Sequence, residues 1–557
     1  MPEYLAPGVY IEEIDIGAKP IEGVGTSTAG FLGETERGPT VPRLVTNLEQ
    51  FRRRYGGYSW AIEPAGESGA VLTNSFLPYA VEGFFANGGK RCFIGRVAGQ
   101  GSQAASLAIE SVGGGSAVRS TKKSRSTKKS ENPEEAAAET PSESASHVAA
   151  DNPLFTVSAA GPGTWGNRIG IRIEQASLQS EKRDKLFKLV VSYWTKLPAD
   201  PDNETATVAE EYDNLSPDLA SPDFFENHIN GLSNLIGVQA DPAAAEQRPV
   251  NMESLSFLLG GADGKAVALS DYKGAQDANT GERSGLSAFD TVDEITMVCA
   301  PNENDDGLTG LSDALVAHCE NMKDRFAVLL ASRSAGPVGR LEPPVDSKYA
   351  AFYYPWLKVV DQVTNLPELV PPGGPMVGMD ARSDVQRGVH KAPANEAVRG
   401  ISELQFMLTK GEQDVLNPRG VNCIRAFPGR GMRVWGARTT SSDPMWKYVN
   451  VRRLFIYLEE SIEEGTQWVV FEPNDQRLWA RVKQGVSDFL KTEWKKGALM
   501  GRTPEEAFFV KCDETTMTDN DIENGRLIVL IGVAPVRPAE FVVFRIAQWR
   551  SGSAIAE

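Results

Sequence analysis

The sequence predicts a multidomain protein of mixed class, α/β in one part and α+β in another, and three observations carry that prediction. At 557 residues the chain is too long for one ordinary core. Its middle alternates segment types: "DEITMVCAP" reads as a strand, "LTGLSDALVAHCENMKD" as a helix and "RFAVLLASR" as a strand. Strand, crossover helix, strand is the order of a parallel α/β unit. The last third instead sets two strands about a Pro428-Gly429-Arg430-Gly431 turn, then two amphipathic helices, then more strands.

The elements follow in order. "APGVYIEEIDIG" (Ala6 to Gly17) reads as a strand, and "TSTAGFLGETERGP" as a buried strand closed by a Gly-Pro turn. "NLEQFRRRYGG" carries Asn47 at an N-cap position and a terminal Gly pair, the start and stop signals of a short helix. "LPYAVEGFFANGGKRCFIGRVAG" predicts a helix stopping at Asn87-Gly88-Gly89 and a strand from Lys90 to Val97. Residues 113–152 change character: RSTKKS occurs at Arg119 to Ser124 and again at Arg125 to Ser130, and a Glu/Ala/Ser/Pro run follows. Such a stretch has too little apolar surface to offset its ordering entropy. Its basic and acidic halves cancel, so it reads as a solvated surface insert rather than a nucleic-acid or membrane contact.

Order returns at "IGIRI" (Ile169 to Ile173), which alternates as a strand should, and at "KLFKLVVSYW" (Lys185 to Trp194). "KYAAFYYPWLKVVD" is a strand or mixed segment. "YVNVRRLFIYLEESIEEG" predicts an amphipathic helix stopped by Gly465. The segment from Asn474 predicts a longer one, with Leu478, Val482, Val486 and Leu490 on one stripe. Strands over 508–512 and 527–534 follow, then the apolar "AEFVVFRIAQW" (Ala539 to Trp549).

Composition removes several function classes. A formal charge of −17 and a pI near 5.0 argue against general nucleic-acid binding. The five cysteines are dispersed, with no CxxC pair, and read as buried thiols of a reducing compartment. Glu3 stands where a signal peptide would be basic, and no run approaches the roughly 18 apolar residues of a membrane span. The expectation is therefore assembly in the cytoplasm without membrane insertion. The four histidines form no HExxH, and no GxSxG elbow occurs. His318 and Cys319 are helical neighbours that point to different faces and do not converge on an ion. "GGADGK" fails the phosphate-loop pattern, because Leu259 and Ala266 stand where Gly and Ser or Thr are needed. No catalytic residue, cofactor site or metal site can be named, and a non-enzyme is expected.

The apolar ends pose a separate problem, since an unpaired strand edge is an aggregation hazard. Such strands either fold back into their own sheet or are given to neighbouring copies as added strands. Here the chain resembles the contractile tail sheath family, which includes the sheaths of phage tails, R-type pyocins and extracellular contractile injection systems. The resemblance rests on "YLAPGVYIEEI", "GTSTAGFLGETERGP", "LLGGADG" and "GVHKAPAN", and on the run from "GVNCIRAFPGRGMRVWGARTT" through "WVVFEPND", "LWARVKQGVSDFL" and "GALMGRTPEEAFFV" to "GRLIVLIGVAPVRPAEFVVFRI". It covers roughly the first hundred and last two hundred residues, and the 113–152 insert matches nothing in it.

The resemblance implies a structural subunit that stacks as hexameric rings into a helical sheath around an inner tube protein, between baseplate and terminal cap proteins, with no cofactor. It implies an N-terminal extended arm over 1–20, an outer α/β domain over 21–112 and 153–345, an inner sheath domain over 346–534 and a C-terminal arm over 535–557. The arm strands would be Val9, Tyr10, Ile11 and Ile14 at one end and Phe541, Val542, Val543, Phe544, Arg545 and Ile546 at the other. The sheet receiving them would include Asn422 to Phe427, Arg433 to Gly436 and Leu527 to Ile531. A tube-facing helix would present Arg477, Arg481, Lys491, Lys495 and Lys496, residues that otherwise read as an ordinary solvated face. The alternative function is a phage virion structural protein that does not contract.

Overall fold

The computed structural model describes residues 20–62, 71–110, 153–178, 185–241, 247–278, 281–335, 338–362 and 364–544. Three hydrophobic cores organise them. The largest surrounds an eight-stranded sheet. Its strands lie in the order Arg43–Val45, Arg91–Arg96, Thr28–Gly33, Met297–Cys299, Phe326–Leu330, Ala350–Tyr354, Val421–Phe427, Gly431–Val434. The six inner strands run parallel and the two outermost are antiparallel to their neighbours. A parallel sheet needs a crossover between successive strands. The Leu77–Asn87 and Leu311–Met322 helices supply two of them, as the alternation of segment types predicts. The inner strands are apolar on both faces, as in "FAVLL" and "AAFYY", because both faces of the sheet are covered.

Strands on either side of the expected boundary at 345/346 meet in this sheet. Ala350–Tyr354 pairs in register with Phe326–Leu330, and Thr28–Gly33 lies between Arg91–Arg96 and Met297–Cys299. Strands from both expected domains therefore share one core. The separate lobe is the second core, built from 105–258 alone. There a four-stranded antiparallel sheet (208–215, 187–193, 169–175, 256–257) and a three-stranded one (236–240, 153–159, 106–110) enclose Trp165, Phe155, Phe187 and Phe225. The lobe docks on the large sheet through polar contacts. Tyr193 donates to Glu36 at 2.6 Å, and Arg96 donates to the carbonyls of Gly38 and Pro162. Ser106–Glu110 and Pro153–Ala159 are antiparallel neighbours with Glu110 opposite Pro153, so the 113–152 insert joins two adjacent strands.

The third core lies under the helices Val449–Thr466 and Gln476–Lys495. Leu478, Val482, Val486 and Leu490 are buried along the second of these. The first helix passes through Gly465, where a stop was expected, and ends at Thr466 with a tight turn over Gln467–Val469. A two-stranded antiparallel ribbon, Phe508–Lys511 with Leu530–Val533, packs on the same core. Ile21 and Val24 pack there too, so the first described residues are tied to this module.

The longest of the helices not foreseen among the described residues is the sixth in chain order. Gly373–Arg387 opens Gly-Gly-Pro and carries Asp380, Arg382, Ser383 and Asp384, a pattern that reads as loop, yet most of it is buried. Its glycines allow a close crossing with Leu77–Asn87: a Cβ at Gly374 would lie 2.0 Å from the Ala80 carbonyl oxygen, and one at Gly378 2.3 Å from that of Phe84. Asp380 and Asp384 face Arg453, which binds Asp384 at 2.6 and 3.1 Å and donates to the Thr26 carbonyl at 2.9 Å, while Arg382 donates to the Asn87 and Ala397 carbonyls.

Candidate functional site

Among the described residues no helix is long and apolar enough to cross a membrane, and no group of His, Cys, Asp and Glu is arranged to hold a metal. His318 turns to Asp290 and Arg325, and burial lowers its pKa to about 4, with Arg325 acting in the same direction. All five cysteines are buried as free thiols. The chemically suggestive surfaces are those of the third core.

The first is the ribbon. Each of its strands has one strand partner among the described residues, which leaves a backbone edge open on either side. Past Val533 the Ala534 N–H donates to the Ala507 carbonyl, and 534–536 make short contacts with 498–500. Phe509 and Leu530 stand exposed on it. Open edges carry unpaired N–H and C=O groups that accept an additional strand. The expected receiving sheet is corrected here. Val421–Phe427 and Gly431–Val434 close the end of the large sheet, while Leu530–Val533 belongs to this separate ribbon. The two sets do not form one sheet, because the hairpin is already committed in parallel to Ala350–Tyr354.

The second surface is the chain just beyond. Phe541, Val542, Val543 and Phe544 form no strand pairing among the described residues, and all four are exposed, between 69% and 83%. The other arm residues, Val9, Tyr10, Ile11, Ile14, Arg545 and Ile546, lie outside the described residues.

The third surface is the long helix. Asp475 caps it, accepting from the backbone N–H groups of Arg477 and Leu478. At 3.6 residues per turn, Arg477, Arg481, Lys491 and Lys495 fall within about 40° of one line, opposite the buried stripe. All four are exposed, and Asp488 shares their face. Arg481 pairs with Glu472 at 3.3 Å and lies over Trp468. Lys496 follows the last helical residue and turns aside to Glu493 at 2.7 Å, so it stands apart from the row. At the helix root, Phe471 is fully exposed with φ of 69°, a left-handed conformation that is uncommon for an aromatic residue.

Sequence reasoning also passed over Glu540, whose carboxylate is gripped by Arg438, Asn417 and Tyr448. Those partners are far away in sequence, so no local pattern marks the residue.

The comparisons agree on the surroundings of these surfaces. Residues 273–440 match the phage tail sheath protein central domain and residues 441–548 the phage tail sheath C-terminal domain. The boundary at 440/441 falls after the last strand of the large sheet and ahead of the two helices of the third core. The tail sheath protein of Burkholderia phage BcepMu is 28% identical over 262 residues, covering 43% of this chain and 54% of the relative. The match thus spans about half the length of that curated relative. The fold is shared with the helical sheath of the anti-feeding prophage in its contracted state, at a TM-score of 0.55 and 22% identity, covering 98% of this chain and 99% of the other. It is shared also with the PVC sheath of an extracellular contractile injection system in its contracted state, at a TM-score of 0.53 and 21% identity over 98% and 99% of the two chains. With the two matches abutting at the third core and the fold shared end to end, this chain belongs to the tail sheath family.

Proposed function

We propose that this chain is the structural subunit of a contractile sheath, polymerising as stacked hexameric rings around an inner tube and shortening to drive that tube through a target envelope. The observation that carries the reading is the presence, in one chain, of a two-stranded ribbon that takes no further strand among the described residues and of an exposed apolar segment, Phe541 to Phe544. An N-terminal arm from one neighbour and a C-terminal arm from another would complete the ribbon of a third. Each main-chain hydrogen bond contributes about 0.5–1.5 kcal/mol net, so a few per arm tie copies together while the rigid cores rotate and slide. The basic row on the long helix would hold the tube. Exposed ion pairs are worth about 0–1 kcal/mol each and are screened by salt, which suits a grip that must release. Baseplate and cap proteins would bound the lattice, and the assembled particle would be a phage tail or a tail-like machine built in the cytoplasm.

Truncation after Glu540 tests the arm. The shortened chain should melt as the full chain does and remain unassembled under electron microscopy, where the full chain forms hollow tubes; tubes from the truncated chain would overturn the reading. Reversing Lys491 and Lys495 to Glu should lower the inner tube recovered with extended sheath, and unchanged recovery would remove this helix from the tube contact.

A further inference from the structure

Between the ribbon and the exposed apolar segment lie six residues, Pro535 to Glu540, that leave the third core and end against residues flanking the hairpin of the large sheet. The hold on them is graded. Val536 donates its N–H to the Ala498 carbonyl, and its own carbonyl accepts from Asn450 at 3.2 Å. Pro535 and Pro538 fix φ on either side. Glu540 then closes the run. Arg438 donates from Nε at 2.8 Å to one carboxylate oxygen and from a terminal nitrogen at 2.8 Å to the other. Asn417 donates at 2.7 Å, Tyr448 at 3.0 Å, and the Lys447 ammonium stands 3.4 Å away.

The receptor for this carboxylate is held in place independently of it. The backbone N–H of Arg438 donates to Asn422 Oδ1, and its carbonyl accepts from Asn422 Nδ2, both at 2.8 Å. Asn422 is fully buried in the Val421–Phe427 strand. The guanidinium also donates to the Asn417 carbonyl at 2.9 Å. A fork fixed this way presents two parallel donors to a planar carboxylate, the geometry in which arginine binds acids most strongly. Burial pushes the Glu540 pKa up, but the bonds from Arg438 and Asn417, the Arg438 charge and the Tyr448 hydroxyl outweigh it and hold the group at about 2. Immediately after Glu540 the contacts stop, and Phe541 to Phe544 are exposed.

We propose that Glu540 is the clasp that sets where the C-terminal arm leaves its own chain, and so fixes the direction and reach with which the arm meets a second copy. This rests on the sheath reading above. With the clasp closed, the free tether begins at Phe541 rather than at Arg537, since Val536 keeps its own backbone bonds. With it open, residues 537–540 join the tether and lengthen it by about 13 Å of extended chain. An arm delivered from a fixed point has a high effective concentration at one acceptor, and a loosened tether dilutes it. Glu540 and Arg438 are positioning residues: they act through the arm and do not touch the acceptor.

The test compares Glu540→Gln, Arg438→Lys and their combination with the chain truncated after Glu540. Glutamine keeps the size and loses the charge, while lysine keeps the charge and loses the fork. Each single variant should melt near the wild type, exchange the amide hydrogens of 536–540 faster, and yield about tenfold less sedimenting polymer at fixed concentration. The double variant should be no worse than either single one, because both remove one interaction. If the truncated chain fails to polymerise while Glu540→Gln polymerises and exchanges as the wild type does, the clasp is wrong and the sheath reading stands. If the truncated chain itself polymerises, the sheath reading fails with it. Should Arg438→Lys fold poorly, Glu540→Ala takes its place, with the same three readouts.

Discussion

Asp380 shows what a single buried group costs and how it could be read out. Its side chain is fully buried, neither carboxylate oxygen finds a hydrogen-bond partner, and the nearest cation, Arg453, is 4.0 Å away and already engaged by Asp384. Burial pushes its pKa up from 3.8 to about 7, against the opposing pull of Arg453. The folded chain therefore keeps a proton that the unfolded chain releases near pH 4, and the folded state loses ground as pH rises from about 4 to about 7. Above that window both states are ionised and the penalty is constant. Asp380→Asn should flatten this part of the profile, so that its melting temperature gains on the wild type between pH 5 and pH 8. A difference that stays constant between those two values would overturn the assignment. Glu303 and Glu34, raised by burial to about 8 and about 7, carry slopes of the same sign, so the wild-type decline should shrink rather than vanish. Nothing local in "GMDARSD" announces this, because the partner charge arrives from a helix some seventy residues later.

Among the elements, legibility followed how local the cause is. The Leu48–Tyr55 helix is written in its own ends: Asn47 accepts from the Gln50 N–H at 2.8 Å and Gly56 takes a φ of 95° that closes it. The long Gln476–Lys495 helix is equally plain, since its stripe of apolar residues and its buried face are one pattern. The Gly373–Arg387 helix is the opposite case, because its sequence was shaped by a neighbour rather than by its own propensity. Two substitutions separate the two kinds of glycine. Gly378→Ala should lower stability by about 1–3 kcal/mol, since the new methyl meets backbone that cannot yield cheaply. Gly485, with nothing within 4 Å of its would-be Cβ, should become a gain of about 0.5–1 kcal/mol on the same change. Denaturant titration of the non-assembling truncated chain measures both, and matching signs would refute the packing argument. Parallel pairing between 28–33 and 297–299 is likewise set by a sheet that no window of sequence contains.

At the scale of the whole molecule, the lobe over 105–258 is an excursion from a sheet that is complete without it. The insert at 113–152 is an excursion from that lobe in turn. Because Glu110 and Pro153 are cross-strand neighbours, residues 111–152 can be replaced by a short Asn-Gly turn without disturbing the register. The shortened chain should fold and form tubes indistinguishable in diameter from the wild type, and failure to assemble would show that the insert takes part in the lattice.

One consequence concerns mechanical load. Ile21 and Val24 seat in the same core as the ribbon, the Val24 N–H donates to Ser461, and Arg453 grips the Thr26 carbonyl while Glu540 is held through Arg438. Tension applied before residue 21 and tension applied beyond residue 540 thus enter the molecule through neighbouring anchors. The shortest covalent and hydrogen-bonded route between them runs through the Val449–Thr466 helix and the hairpin end of the sheet. The lobe lies off that route. It can enlarge, change charge or carry an insert without bearing the pull.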